Sequence, residues 1–573
     1  MPAIQTISAR KFTGWYPTLG ASNLSPEQLI KAENMRFLPE GGMATRPGYE
    51  DSEINLSSYS FTRIRGMFYI AKYNILWIAG DDGTNTKLVY ALSDDTVYDS
   101  GLSNTTAKEY DFDEYLGDLY YVNGVENPGV IFTSSTSGST ASASTTVNLR
   151  PGDGIKFPSS GTGSINGDTF TWGGKTGDQL TGCAGISGVK ADGSIVISTA
   201  TYTPGITDPT TIAFWIESNN LGGDTETPWT WEFSKIADST NLDYVRNFTA
   251  GGTEGTEIVG GDNGIKKFVP TKDYMYIFTG NAVYFTPKDN VNATTGARIP
   301  EPLTKQYGIP NFRCAVVMEG LVAFWTGERL IPIQIVVENG ASSVEVNDKF
   351  DLPIRTFLSS LSTDHTEDWL HYNPRQRLLK LGITHEGAKK VVVYDFKSKA
   401  FSLDTGKSYG MMVNAFDGKS FAGSEFDGTI WIDEQGLSDN GGTIAHSWEG
   451  GSLVEHAFAT LRRARYYGKM GDNSEAIVTL YNNQSSFERT ITDTSATITG
   501  DASPVGSAGV GTSGVGDGGS VIDSFDFDYP IRCLRTGTKF KHSGICEGEG
   551  FFFQIDGIEL DFEPHRHTPV SSH

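Results

Sequence analysis

From about residue 62 the chain repeats one short unit: a strand of apolar or alternating residues, a tight turn rich in Gly, Asn and Asp, then a second such strand. Gly66 to Ile70 precedes Ile75 to Ile78 and Leu88 to Leu92, and Tyr115 to Gly124 repeats the theme. After a long interruption the cadence returns in Tyr274 to Phe278 with Ala282 to Phe285, then in Ala315 to Trp325. Leu378 to Leu381 with Val391 to Tyr394, and Gly423 to Ile432, are further copies. With the interruption removed, the units recur about every 45 to 55 residues, the spacing of four-stranded propeller blades. The expected fold is all-β: a β-propeller of about five or six blades, discontinuous over 61–132 and 265–433. Hairpins with Asn-Gly or Asp-Gly turns also build stacked β-sandwiches, which stay open as the alternative.

The interruption, 133–264, opens in a Ser/Thr/Ala linker from Thr133 to Thr146 and closes in the Gly-rich stretch Thr249 to Gly264. Asn166-Gly167 between Ser164-Ile165 and Asp168-Thr169 predicts a type I′ hairpin, so an inserted small β-sandwich or barrel is expected here. A C-terminal β-sandwich is expected over 434–573, with 501–520, rich in Gly and Ser, as a mobile loop. The lead-in segment 1–60 predicts one short helix from Ser25 to about Phe37, with a hydroxyl cap, Pro26 at the first helical position and Gln28 in the capping-box place.

Composition narrows the function. Of 573 residues, 67 are glycine, roughly 12 % against a usual 7 %, and they fall in turn-like clusters without a collagen period. Lys and Arg number 45 against 69 Asp and Glu, and the net charge of −24 opposes the counterion release that drives proteins onto phosphate backbones. That charge counts against a DNA-gripping role, whereas passage of DNA is compatible with it. Cys183, Cys314, Cys533 and Cys546 are widely spaced and read as free, buried thiols. Met1 to Tyr16 carries Arg10 and Lys11 where a leader needs an apolar stretch, and no run reaches membrane-spanning length, so assembly in a reducing cytoplasm without membrane insertion is expected.

Chemistry-bearing patterns fail on inspection. Gly173-Gly174-Lys175-Thr176 has Thr169 where a phosphate loop needs its first glycine. Asp81-Asp82-Gly83, Asp111 with Asp113, and Asp526 with Asp528 lack a calcium-loop ligand series, and His565 with His567 has no further ligand beyond Glu563. No catalytic, metal or cofactor residues are assigned, and the chain is expected not to be an enzyme.

One charged stretch stands out in this acidic chain. Arg462, Arg463, Arg465 and Lys469 are clustered, and on a strand Arg463 and Arg465 share a face. Asp526 and Asp528 share a face of another expected strand, so the two sets either pair across strands or meet a neighbouring subunit. Trp215, Trp229 and Trp231 are candidate stacking platforms for sugars, with core packing as the plainer role.

Three passages resemble the β-propeller tail proteins of bacteriophages, the nozzle or hub proteins of short-tailed phages in particular. They are Leu24 to Tyr49, Tyr115 to Val130, and the joint from Gly428 to Gly441 with the following Arg462-Arg463 strand. In addition, Phe157 to Cys183 is similar to a small β module of phage structural proteins. The resemblance spans roughly 60 % of the chain through degenerate motifs. It implies a structural virion protein, a homo-oligomeric ring of about six copies between a portal-adaptor protein and tail fibre or tail tip proteins. Double-stranded DNA would leave through its channel during genome ejection without specific binding. A receptor- or carbohydrate-binding tail adhesin and a glycan depolymerase remain the alternatives.

Overall fold

The computed structural model describes residues 5–9, 11–17, 24–25, 27–105, 109–115, 117–123, 129–201, 215–216, 231–232, 265–271, 274–287, 301–338, 341–361, 363–450, 455–456, 459–470, 475–481, 486–492, 525–532, 538–539, 541–547 and 553–564. These are nearly all β, arranged as many sheets that are antiparallel apart from two parallel pairings of Gln28–Glu33.

Six runs of strands, each hydrogen-bonded in order, organise the described residues. Sheet I holds Arg63–Ile70, Ile75–Asp81, Asn85–Leu92 and Val97–Thr105. Sheet II begins with Asp111–Tyr115, Asp118–Val122 and Gly129–Ser135, and takes Ile195–Thr201 as its fourth strand. Sheet III runs from Ile265–Pro270 to Glu301–Thr304, and sheet IV from Ala315–Met318 to Ala341–Val346. Sheet V runs from Trp369–Asn373 to Ala400–Thr405. Sheet VI has only Tyr409–Ala415, Lys419–Ser424 and Ile430–Asp433 from its own stretch of chain, and Tyr49–Asp51 from the N-terminal segment completes it.

The first strands of successive sheets touch one another, I to II, III to IV, IV to V and V to VI, and the first strand of VI returns to that of I. Sheets II and III join through a shared core in which Tyr120, Val130 and Phe132 pack with Met275, Ile277 and Tyr284. This order explains the sequence pattern. A sheet covered on both faces by its neighbours needs continuous apolar strands, and every residue of Ile75–Asp81 is buried.

The expected helix at 25–37 is instead a pair of strands, Gln28–Glu33 and Met35–Phe37. The local cap contacts do form, Ser25 N–H donating to Gln28 Oε1 and Gln28 N–H to Ser25 O, each at 3.0 Å. They turn the chain into a strand that pairs with His446–Gly450 on one side and meets Leu403 on the other. Leu29, Ala32 and Met35 are all fully buried at helix-like spacing. A register shift between Leu29 and Lys31 and the positive φ of Asn34 (57°) produce that spacing in extended chain.

The insertion also differs from the expected separate sandwich or barrel. In its described part, Gly161–Ile165 and Asp168–Trp172 extend sheet II beyond Ile195–Thr201, and a small sheet of Thr146–Asn148, Gln179–Thr181 and Gly174–Thr176 lies beside them. Its core, with Phe157, Phe170 and Trp172, is continuous with that of sheets II and III. Thr133, expected in a linker, is a buried strand residue. Asn166 and Gly167 both take positive φ, 43° and 82°, and close the two-residue hairpin between Ile165 and Asp168.

Among the described residues, the C-terminal strands, expected as a separate sandwich, share two sheets with strands from elsewhere in the chain. Lys541–Glu547, Glu475–Tyr481 and Ser486–Thr492 continue sheet V through Gln28–Glu33 and His446–Gly450. A further sheet combines Met35–Phe37, Met43–Thr45 and Gln5–Ala9 with Phe553–Pro564, Ala459–Met470 and Phe525–Arg532. The N-terminal segment is therefore woven into both ends of the chain's β structure. Cys183 and Cys314 are free and buried, and Cys533 and the loop 501–520 lie outside the described residues.

Candidate functional site

The basic stretch lies on the 12-residue strand Ala459–Met470, between Phe525–Arg532 and Phe553–Pro564. Arg463 stands opposite Asp528 on one neighbour and Asp561 on the other, and Arg465 stands opposite Asp526 and Glu559. Directly opposed residues occupy matching positions of a sheet face, so the register sets Arg463 and Arg465 at positions opposed by Asp526, Asp528, Glu559 and Asp561. On the far side of Phe553–Pro564, Thr6 is registered with Asp561 and donates its hydroxyl to Asp561 Oδ1 at 2.7 Å. Arg462 falls at the register shift between Leu461 and Arg463, and the skipped partners on the neighbouring strand include Pro530, which has no N–H to donate. Lys469 is registered with Gln554, away from the ladder.

Of the tryptophans, Trp215 and Trp231 lie on paired strands, Trp215–Ile216 and Trp231–Glu232, and Trp229 lies outside the described residues.

Two charge clusters that sequence reading missed carry most of the buried polar chemistry. The first ties the N-terminal segment to sheets V and VI. Arg36 forms a fork with Asp404 and also donates to Glu434 Oε1 at 2.6 Å. Lys380 pairs with Asp433 and Glu434, and Lys407 with Asp404, Asp433 and Glu434, while Tyr409 donates to Asp433 at 2.9 Å. Arg46, 1 % exposed, clamps Asp439 through Nη1 and Nη2 at 2.8 and 2.6 Å. Burial by itself would raise the carboxyl pKa values, but Arg36 and Lys407 hold Asp404 well below its usual range, and Lys380 and Lys407 do the same for Asp433. Burial and Asp433 together push the Tyr409 phenol up.

The second cluster sits where the first strands of the sheets begin. Glu109, just ahead of sheet II, receives Arg63 at 2.9 Å and Arg65 at 3.3 Å from sheet I, and Arg313 at 3.2 Å from the turn entering sheet IV. Glu367, ahead of sheet V, and Glu425, after the second strand of sheet VI, share Lys389 at 2.8 and 3.0 Å. Arg63 reaches both carboxylates. A hydrogen bond with Glu425, opposed by burial and aided by Lys389, sets Glu367 down at about 2, while burial and Glu367 push Glu425 up. With Asp81 on Arg65, four cations meet four carboxylates, contributed by five of the six sheets.

Beyond this cluster the first strands enclose a cavity of 580 Å³, with Met67, Asp111, Lys267, Val316, His371 and Met412 among its walls, one from each sheet. Among the described residues no group of His, Cys, Asp and Glu is arranged to hold a metal ion. Asp81 and Asp82 accept backbone N–H groups of their own turn, Gly83 at 2.7 Å and Asn85 at 2.8 Å, as turn carboxylates do.

No family model matches this chain, and no curated protein matches it. Among solved structures, the AfRom2 CNH domain aligns at 8 % identity over 63 % of this chain and 94 % of that chain, with a TM-score of 0.22. A prolyl endopeptidase aligns at 11 % identity over 69 % of this chain and 53 % of that one, with a TM-score of 0.24. An engineered GH43 glycoside hydrolase aligns at 9 % identity over 97 % and 99 %, with a TM-score of 0.18. These scores are too low for any of the three to bear on function.

Proposed function

We propose that the chain is a six-bladed β-propeller and a structural protein of a phage tail: a subunit of the nozzle or hub ring through which the genome is ejected. The observation that carries the architectural half is the completion of sheet VI by Tyr49–Asp51, because a strand from the start of the chain there locks the last blade to the first. The functional half rests on the resemblance of the N-terminal, second-blade and 428–441 passages to such proteins. The charge arrangement agrees with a scaffold rather than an enzyme: the two large clusters are internally neutralised pairs that join chain segments far apart in sequence.

The DNA channel in this reading lies between subunits. The cavity inside one chain, 580 Å³, is far too small for a duplex whose major groove alone is about 12 Å wide. A net charge of −24 suits a lumen that repels phosphates, so that DNA slides without adhering. Portal-adaptor and tail fibre or tip proteins would be its neighbours in the virion.

Electron microscopy of the purified protein at high concentration, and of its parent particle, tests this. Rings of 62.1 kDa subunits around an open axis, matching density on a virion tail axis, are expected. Monomers or trimers absent from any tail axis overturn it and favour the adhesin, for which binding of the full chain to a glycan array is the next measurement.

A further inference from the structure

The cavity on the axis of the six sheets has features that the scaffold role leaves unused. Its volume, 580 Å³, falls in the range of small-molecule sites, roughly 300–1,000 Å³, and its lining combines an apolar majority with several charged and polar side chains. Phe68, Phe112 and Phe312 present rings, and Met411 and Met412 add adaptable thioethers. The ion-pair cluster around Glu109 lies at the end where the first strands begin, and Val317, 40 % exposed, lies toward the other end.

The charged groups of the lining differ in how fully they are engaged. Glu319 accepts Arg377 at 2.6 Å and Tyr372 at 2.9 Å. Arg313 donates to Glu109, Gly410 O and Thr366 O, while its buried Nε has no hydrogen-bond partner among the described residues. His371 is held through Nε2 by Asn414 and Ser420. Lys267 is the exception: its ammonium stands 3.8 Å from Asp111, beyond hydrogen-bond reach, and 5.9 Å from the Phe312 ring. An ammonium near rings, whose ion pair with Asp111 is long at 3.8 Å and not a hydrogen bond, favours an incoming anion attached to an apolar body.

We propose that this axial chamber binds a small amphipathic carboxylate, with its head on Lys267 and its apolar body against Phe68, Phe112 and Phe312. Two lining carboxylates would discourage such an anion: Glu319, which Arg377 and Tyr372 already engage, and Asp111, which lies nearest Lys267. Burial raises the pKa of Asp111, which lowers the cost of its proximity.

The probe is 2-naphthoate, titrated calorimetrically into the full-length protein. One saturable site per chain is expected. Affinity should fall at least tenfold in Lys267→Met, return in Lys267→Arg, and be lost in Val316→Trp, which fills the chamber, with the melting temperature of each variant recorded to confirm folding. 2-Methylnaphthalene, which lacks the carboxylate, should bind at least tenfold more weakly. Absence of saturable naphthoate binding overturns the proposal. So does tighter binding of 2-naphthylmethylammonium, which would make Asp111 the recognising group, and so does affinity unchanged in both Lys267→Met and Val316→Trp, which would place the probe on the surface.

Discussion

Arg36 and Asp404, separated by 368 positions in the chain, meet as a two-pronged pair, Nη1 to Oδ1 at 2.6 Å and Nη2 to Oδ2 at 2.7 Å. Both are buried, and their neighbours Glu434, Lys380, Lys407 and Asp433 complete a network in which each charge faces an opposite one. Such a network owes its stability to completeness, since a buried charge that loses its partner keeps its desolvation cost. Arg36→Met removes three hydrogen bonds to two carboxylates and leaves Asp404 and Glu434 with surplus negative charge. The expected loss is about 3–5 kcal/mol in a urea melt, and Arg36→Lys should recover only part of it because one ammonium cannot form the fork.

The N-terminal strand that completes sheet VI depends on Gly48. A Cβ there would sit 1.8 Å from Ser438 O, while Gly48 N–H donates to Gly436 O and Tyr49 N–H to Ser438 O, both at 3.1 Å. Gly48→Ala must push Tyr49–Asp51 away from Ile430–Asp433 and separate the Tyr49 ring from Trp431, now 5.1 Å away. A stability loss of about 3 kcal/mol or more is expected, together with faster proteolysis ahead of residue 60.

Asp118 gives a stability term of one sign with pH. It is fully buried, accepting Lys156 Nζ at 3.0 Å and Thr133 N–H at 2.9 Å, and its second oxygen is unpartnered among the described residues. Burial outweighs Lys156 and pushes its pKa up to about 6. The folded state therefore holds a proton that the unfolded chain releases near 3.9. The contribution is complete below that value and is lost as pH rises through 6, up to about 3 kcal/mol in all. Asp118→Asn should flatten the stability profile between pH 4 and 6, and an unchanged slope would show that other groups set it.

His371 acts in the opposite direction. Burial, then Lys380, depress its pKa to about 4. The unfolded chain binds the proton near 6.5 and the folded state does not, so this contribution is present above 6.5 and is lost as pH falls toward 4, again up to about 3 kcal/mol. His371→Gln, which keeps a side chain able to bond Asn414, should reduce acid destabilisation in that window in thermal melts at graded pH.

What the sequence revealed and concealed divides by range. The strands Ile75–Asp81, Tyr274–Thr279 and Leu378–His385 were legible because burial on both faces writes continuous apolar runs. Gln28–Glu33 follows the helix-start signature of Ser25, Pro26 and Gln28, and only the partner strand His446–Gly450, more than 400 residues away, makes it extended. The cluster around Glu109 was equally hidden. Glu109, Arg313, Glu367 and Glu425 occupy unrelated stretches of sequence and meet only because successive first strands start at one end of the molecule. The opposition of Arg463 and Arg465 to Asp526 and Asp528 could be posed from alternation alone, whereas the second acidic rank, Glu559 and Asp561, could not.

That second rank separates two roles for the basic strand. If Arg463 and Arg465 serve their own sheet, reversing both places six carboxylates on one face, and like charges directly opposed destabilise. The variant carrying Arg463→Glu and Arg465→Glu should then lose about 1–3 kcal/mol, with the loss shrinking at high salt, and adding Asp526→Arg and Asp528→Arg should restore much of it by exchanging the charges within the ladder. The size of the assembly in analytical ultracentrifugation should stay the same throughout. If the arginines instead hold a neighbouring subunit, the reversal dissociates the assembly and the exchange within the sheet does not repair it, because the charge facing the neighbour stays reversed. Stability and sedimentation measured on the same three proteins therefore assign the strand to one role.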